Sequence, residues 1–357
     1  MATRLVLHIG AMKSGTSFIQ NVLKENKETL EAAGWLFPGR RWRQQVSAVY
    51  DLIERGGARQ EPMAADGPWH TICAEVNDWD GEAVISMEFL GPRGPEKIQQ
   101  LMRSFPDTEL QVVLTARDLA RSIPAMWQES VQNAATSTWP EFLDAVRREA
   151  RQPGPGRWFW RHQGLAAMAE RWRDQVGNDH FTLVTVPRRG APSSLLWDRF
   201  AQVAGLAPGD YTLDVLRNPS IGAASAMVMR DLNERLSAQP LPRDLYDRLA
   251  KHALAKQSLA DRQRTEPVLG LDAEWVRSRG AQEVEQLRRL GLRVVGDLAE
   301  LVPQPVPGVH TDDISPDQRL DAALAALEVA VRRWADAEQR ARPRRPPRQR
   351  AEPTEET

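Results

Sequence analysis

Residues 4–20 read RLVLHIGAMKSGTSFIQ, and this stretch decides the fold. Leu5, Val6, Leu7 and Ile9 make an apolar run that stops at Gly10. Small and polar residues surround Lys13. An amphipathic run follows, with Phe18, Ile19, Val22 and Leu23 on one face, and closes at Gly34. The order predicted is strand, glycine loop, helix. Such a loop offers backbone N–H groups and the positive end of a helix to an anion. Lys13 adds a full positive charge, and Ser14, Thr16 and Ser17 add hydroxyl donors. A bare turn needs small residues, but it needs neither the lysine nor the hydroxyls. The stretch therefore reads as a phosphate or sulfate site.

The order of residues narrows the ligand. A Walker A loop places its lysine after the second glycine, on the first helical turn. Here Lys13 precedes Gly15 and the loop is shorter, so no Walker A match exists at this strand. The loop suits one short anionic group better than a triphosphate.

The run His8-Ile-Gly-Ala-Met-Lys-Ser-Gly-Thr-Ser17 resembles the 5′-phosphosulfate loop of sulfotransferases, which use 3′-phosphoadenosine 5′-phosphosulfate (PAPS) as sulfuryl donor. The resemblance is to the broad bacterial branch, related to the carbohydrate and cytosolic enzymes. It runs with gaps over most of residues 4–300, and only the first loop is a sharp motif. It implies a central, mainly parallel sheet flanked by helices, of the P-loop-like sulfotransferase fold, with a helical C-terminal part.

The remaining sequence agrees with an α/β class. Ala83–Met87, Leu110–Thr115 and Phe181–Val186 are short, nearly continuous apolar runs, as buried parallel strands require. Segments 96–104, 118–134, 139–150, 162–176 and 193–204 read as helices between and after them. After about residue 205 strand signals fade, and 223–237, 243–262 and 281–290 read as helices. Residues 38–80 show no clear period. The expected organisation is an α/β domain over 1–300, a proline-rich connection at 301–316, an appended helix at 317–340 and a disordered Arg/Pro-rich tail at 341–357.

Composition sets the remaining bounds. With 357 residues the chain is ample for one large domain or two small ones, and no run approaches the roughly 18 apolar residues of a membrane span. The N-terminal run is short, is broken by His8 and Lys13, and lacks a signal-peptide cleavage pattern. Cys73 is the single cysteine, so no intrachain disulfide forms. A cytoplasmic protein is expected. Residues 340–357 hold six arginines and three glutamates, which leaves about −4 on the body of a chain whose net charge is −1. That tail reads as solvated, and no nucleic-acid partner is expected.

The resemblance also implies site residues. Lys13 would be catalytic, and Lys13, Ser14, Gly15, Thr16 and Ser17 would hold the 5′-phosphosulfate. In the family an arginine after the central strand, and a serine eight residues later, bind the 3′-phosphate. Arg117 matches the arginine, but Ala125 stands at the serine position. Ser122, one turn earlier on roughly the same face of the helix, is the expected substitute, with Arg121 as the alternative. Arg117 could instead pair with Asp118 or Glu129. Arg217-Asn-Pro-Ser-Ile-Gly222 resembles a stretch of bacterial relatives that closes over the nucleotide; a turn set by Asn218-Pro219 explains it equally.

Glu88, at the end of its strand, is the expected general base. His8 lies within the first strand, where a buried, hydrogen-bonded histidine is the simpler reading; His70 and His162 remain alternatives. Trp127 and the Trp158-Phe-Trp run suit either a core or an acceptor floor. No metal-ligand spacing is present. The function expected is sulfuryl transfer from PAPS to a hydroxyl or amine of a small-molecule or carbohydrate acceptor. The competing readings are a nucleotide kinase or other P-loop NTPase and a nucleotide-binding homologue of weakened activity.

Overall fold

The opening apolar run forms β1 (Arg4–His8), the strand from which the sheet grows to both sides. In the computed structural model, residues 2–54, 66–148, 152–215, 221–260, 262 and 265–341 are described. The other strands are β2 (Trp35–Leu36), β3 (Glu82–Ser86), β4 (Glu109–Ala116), β5 (Phe181–Thr185) and β6 (Arg293–Val295). Their order is β2-β3-β1-β4-β5-β6, and every pair is parallel. Leu5 is level with Ala83 on one side and Leu110 on the other. The fold is thus α/β with a central parallel sheet, as the alternation of segments predicts.

Side chains alternate between the faces of the sheet. Leu5, Leu7 and Ile9 pack with Ile85, Val112, Leu114 and Trp172 on one face. Val6 packs with Val84, Val113, Val184, Ile19 and Phe200 on the other. Burial on both sides explains why these strands are apolar throughout.

The helices are α1 (Thr16–Glu25), α2 (Lys27–Ala32), α3 (Trp42–Glu54), α4 (Pro68–Asn77), α5 (Pro95–Arg103), α6 (Leu119–Gln132), α7 (Trp139–Arg147), α8 (Pro155–Gln163), α9 (Leu165–Val176), α10 (Leu195–Ala204), α11 (Ala223–Leu236), α12 (Arg243–Tyr246), α13 (Glu274–Arg289) and α14 (Pro316–Ala341). The stretch Asp247–Leu259 is π-helical and continues α12. A third core lies among helices, where Ile123, Trp127, Trp139, Phe142 and Phe159 pack with Met229, Tyr246 and Ala322.

Several boundaries differ from the sequence reading. Residues 38–80 hold α3 and α4, interrupted by 55–65, which lie outside the described residues. The helix expected over 162–176 is two, α8 and α9, divided at Gly164. A sixth strand, β6, follows the point where strand signals fade; with three residues at the sheet edge it is too short to show a period.

Near the C-terminus, Leu271 and Val306 exchange hydrogen bonds of 2.9 Å, tying the proline-rich connection to the body. Helix α14 docks through buried Ala322 and Ala326, while Leu320, Leu324, Leu327, Val331 and Trp334 stay exposed along it. Residues 342–357 and 216–220, which include the tail and most of the Arg217–Gly222 segment, lie outside the described residues.

Candidate functional site

The chain runs from β3 across β1 to β4, so the loops after these three strands meet at one edge of the sheet. Ligands of open parallel sheets bind outside the carboxyl ends of strands at such a crossing. Lys13, Glu88 and Arg117 all sit there, each just after one of the three strands.

The loop after β1 stays bonded to β4 before it turns. Ile9 N–H donates to Val113 O at 3.0 Å and Ala11 N–H to Thr115 O at 2.8 Å. Gly10 has φ +113°, and a Cβ there would lie 3.3 Å from the backbone of Glu88. Glycine lets the two loops touch. Gly15, at φ +84°, caps α1, and Lys13 is also left-handed at φ +61°. Phe18 N–H donates to Gly15 O at 3.0 Å, whereas the N–H groups of Gly15, Thr16 and Ser17 have no backbone acceptor among the described residues and are open to an anion.

The loop hydroxyls divide their work. Ser14 is buried; its Oγ donates to Ala11 O at 2.5 Å and lies 2.7 Å from Thr115 Oγ1. That hydroxyl braces the loop. Thr16 and Ser17 line a cleft of about 540 Å³ together with Lys13 and Gly15. His8 is fully buried, with Nδ1 2.7 Å from Ser86 Oγ and Nε2 3.1 Å from Thr115 Oγ1. Burial lowers its pKa to about 3, which makes it a neutral core histidine.

On the opposite wall, Arg117 Nη1 donates to Lys13 O at 3.1 Å, while its Nε is buried without a partner among the described residues. Burial, then the neighbouring Arg121, brings its pKa down to about 10, so it remains charged at neutral pH. Neither expected carboxylate pairs with it. Asp118 caps α6 through Arg121 N–H at 3.0 Å and forms an ion pair with the Arg121 side chain. Glu129 is held by two lysines: Lys13 Nζ at 2.8 Å and Lys251 Nζ at 3.4 Å. Arg117 lines the cleft, and a desolvated guanidinium short of partners is a group that a bound anion would complete.

Ser122 does not join this wall. It is buried, its Oγ has no partner among the described residues, and it borders a separate void of about 20 Å³ with Arg117 and Gln163. Ala125, Pro124 and Gln128 line the cleft instead. At about 100° per residue, Ser122 is turned some 60° from Ala125 to the side opposite Pro124 and Gln128, which carries it off the cleft face.

Glu88 lines the cleft beside Phe89. Gln20 Nε2 donates to its Oε2 at 2.7 Å and to Ser86 O at 3.2 Å. Burial pushes the Glu88 pKa above the usual carboxylate range, against the opposing hydrogen bond from Gln20. Glu129 behaves oppositely. Burial would raise it, but Lys13 and Lys251 outweigh burial and hold it at about 2.

A second cavity of about 950 Å³ adjoins the cleft. The two share Met12, Trp42, Phe89, Glu129, Lys251 and Lys256. Trp158 and His162 line this larger cavity, whereas Trp127 is core and donates its N–H to Ser137 O at 3.0 Å. His162 is held by Trp158 O at 2.8 Å, and burial lowers its pKa to about 4. His70 is exposed on α4 and lines neither cavity.

Lys251, Lys256 and Arg189 also line the cleft, and nothing in the sequence reading singled them out. The two lysines are five apart, which places them on different faces of an α-helix. The i→i+5 ladder of a π-helix stacks them on one face instead. The cleft thus sets Lys13, Arg117, Arg121, Arg189, Lys251 and Lys256 against Glu88 and Glu129, an excess of four positive charges. Among the described residues, no group of three or more His, Cys, Asp or Glu side chains is arranged to hold a metal ion. No described helix is long and apolar enough to cross a membrane.

No protein-family model matches the chain, and no curated protein does. Among solved structures it is similar to a sulfotransferase from Alicyclobacillus acidocaldarius, with 18% identity and a TM-score of 0.40 over 71% of this chain and 97% of that one.

Proposed function

We propose that the protein is a sulfotransferase that takes PAPS as donor and a hydroxyl or amine as acceptor. One observation carries the reading: the loop of Lys13 and Arg117, which pairs with no carboxylate among the described residues, line one cation-rich cleft from adjacent strands. The sequence of that loop, with its resemblance to the 5′-phosphosulfate loop, says which anion it suits.

In this reading the N–H groups of residues 15–17 and the Thr16 and Ser17 hydroxyls bind the 5′-phosphate, and Arg117, with Arg189, binds the 3′-phosphate. The nucleotide supplies an activated sulfuryl group. Glu88 takes the proton of the acceptor hydroxyl as the acceptor oxygen bonds to sulfur and the sulfur–oxygen bond to the 5′-phosphate breaks. Lys13 leaves Glu129 and meets the negative charge developing on that oxygen. One preorganised donor of this kind lowers a barrier by roughly 3–4 kcal/mol. The raised pKa of Glu88 favours it over Glu129 as base, because Glu129 at about 2 holds protons too weakly.

Calorimetry tests the reading. 3′-Phosphoadenosine 5′-phosphate should bind with micromolar affinity without magnesium, and Lys13→Ala should abolish transfer while the fold persists. Magnesium-dependent ATP binding with no response to the 3′-phosphorylated nucleotide would instead indicate a kinase or NTPase.

A further inference from the structure

The larger cavity carries cations that the nucleotide reading does not use. Arg43, Arg93, Arg243 and Arg248 line it beside the shared Lys251 and Lys256. Some are already neutralised: Arg243 by Asp247 at 3.2 Å, Arg248 by Asp244 at 3.5 Å and Lys251 by Glu129 at 3.4 Å. Arg93 is not. It is half-buried in the loop before α5, and its Nε is buried without a partner among the described residues.

The surroundings of Arg93 make it more unusual. Arg161 and Arg171 crowd it, and the Arg171 Nε is likewise buried and unpartnered. Arg171 reaches only a carbonyl, Gly91 O at 3.3 Å. No carboxylate pairs with any of the three among the described residues. Burial, then repulsion from Arg161 and Arg171, brings the Arg93 pKa down to about 10, so it stays charged at a cost to the free protein. Clustered like charges around a cavity destabilise a fold unless an anion completes them, and such violations concentrate at binding sites. Tyr50, Phe89, Phe142 and Trp158 line the same cavity and offer flat, apolar surfaces.

We infer that this cavity is the acceptor site and that the acceptor carries its own anionic group, a carboxylate or a phosphate, on a ring or other flat body. Arg93 holds the anion, the aromatic walls hold the body, and the reacting hydroxyl or amine enters the cleft past Phe89 and Glu129. Calling the ligand an acceptor rests on the sulfotransferase reading; the anion preference of the cavity does not.

The test uses matched probes titrated into the full chain with 3′-phosphoadenosine 5′-phosphate saturating the cleft. The pairs are 4-nitrophenyl glucuronide with its neutral glucoside, 4-hydroxybenzoate with 4-hydroxybenzamide, and glucose 6-phosphate with glucose. In at least one pair the anionic member should bind about tenfold tighter, and Arg93→Gln should erase that preference. Binding of the neutral member and of the nucleotide should not change. Should Arg93→Gln fail to fold, Arg93→Lys keeps the charge but loses the planar fork, and should show a partial loss of preference. Equal or weaker binding of every anionic member, no binding by any probe, or a preference undiminished in either variant would overturn the inference. If the nucleotide itself fails to bind, the sulfotransferase reading falls. The Arg93 comparison still decides the cavity, because Arg93 does not line the cleft.

Discussion

Lys13 Nζ lies 2.8 Å from Glu129 Oε2, on the rim shared by the two cavities. The carboxylate stands where an anionic ligand would draw the lysine, so ligand and Glu129 compete for one ammonium. Partly exposed pairs of this kind contribute up to about 1 kcal/mol. Glu129→Gln removes the competitor and raises the positive excess of the cleft. It should therefore tighten 3′-phosphoadenosine 5′-phosphate binding by roughly fivefold in calorimetry. Weaker binding would show that Glu129 orients Lys13 for the ligand.

The same pair makes stability depend on pH. Although burial opposes it, Lys13 and Lys251 hold the Glu129 pKa at about 2, against an ordinary value of 4.5. A depressed carboxylate pKa stabilises the fold above its unfolded value, and that contribution is lost as pH falls through the folded one. Denaturant melts should show wild type more stable than Glu129→Gln at pH 7, with the gap shrinking as pH falls from about 4.5 towards 2. A gap independent of pH would remove the ion pair from the stability of the fold.

Glu88 titrates in the other direction. A general base must be ionised, and burial raises its pKa, so kcat/KM should fall as pH drops through a value above the ordinary carboxylate range. Glu88→Gln should lower turnover by about 10²–10⁴ without weakening nucleotide binding. Its pH profile should lose the acid limb. A retained limb would move the base elsewhere.

Arg117→Ala should weaken a 3′-phosphorylated nucleotide far more than its dephospho form, because the lost contact is to the extra phosphate. Removing a charge-assisted hydrogen bond costs roughly 1.5–3 kcal/mol, an affinity loss of about 10- to 150-fold. Equal losses for both nucleotides would place Arg117 outside the 3′-phosphate site.

What the sequence revealed follows from how local the chemistry is. The Lys13 loop, Glu88 and Arg117 were legible because each follows an apolar strand directly and parallel topology gathers such positions at one edge. Ser122 was misplaced by treating residues one turn apart as equivalent, when about 60° decides between cleft and core. Lys251 and Lys256 escaped because their pairing depends on a π-helical period that an α-helical reading cannot see. Arg93 sits in a loop after Pro92, where no period marks it, and only the packed structure brings Arg161 and Arg171 to its side. Strand β6 was too short to signal itself.

The most direct test of the central claim is a crystal structure with 3′-phosphoadenosine 5′-phosphate. The 5′-phosphate is expected on the N–H groups of residues 15–17, the 3′-phosphate on Arg117, and the Lys13 ammonium withdrawn from Glu129 towards the ligand. Nucleotide density elsewhere, with the Lys13–Glu129 pair intact, would contradict it.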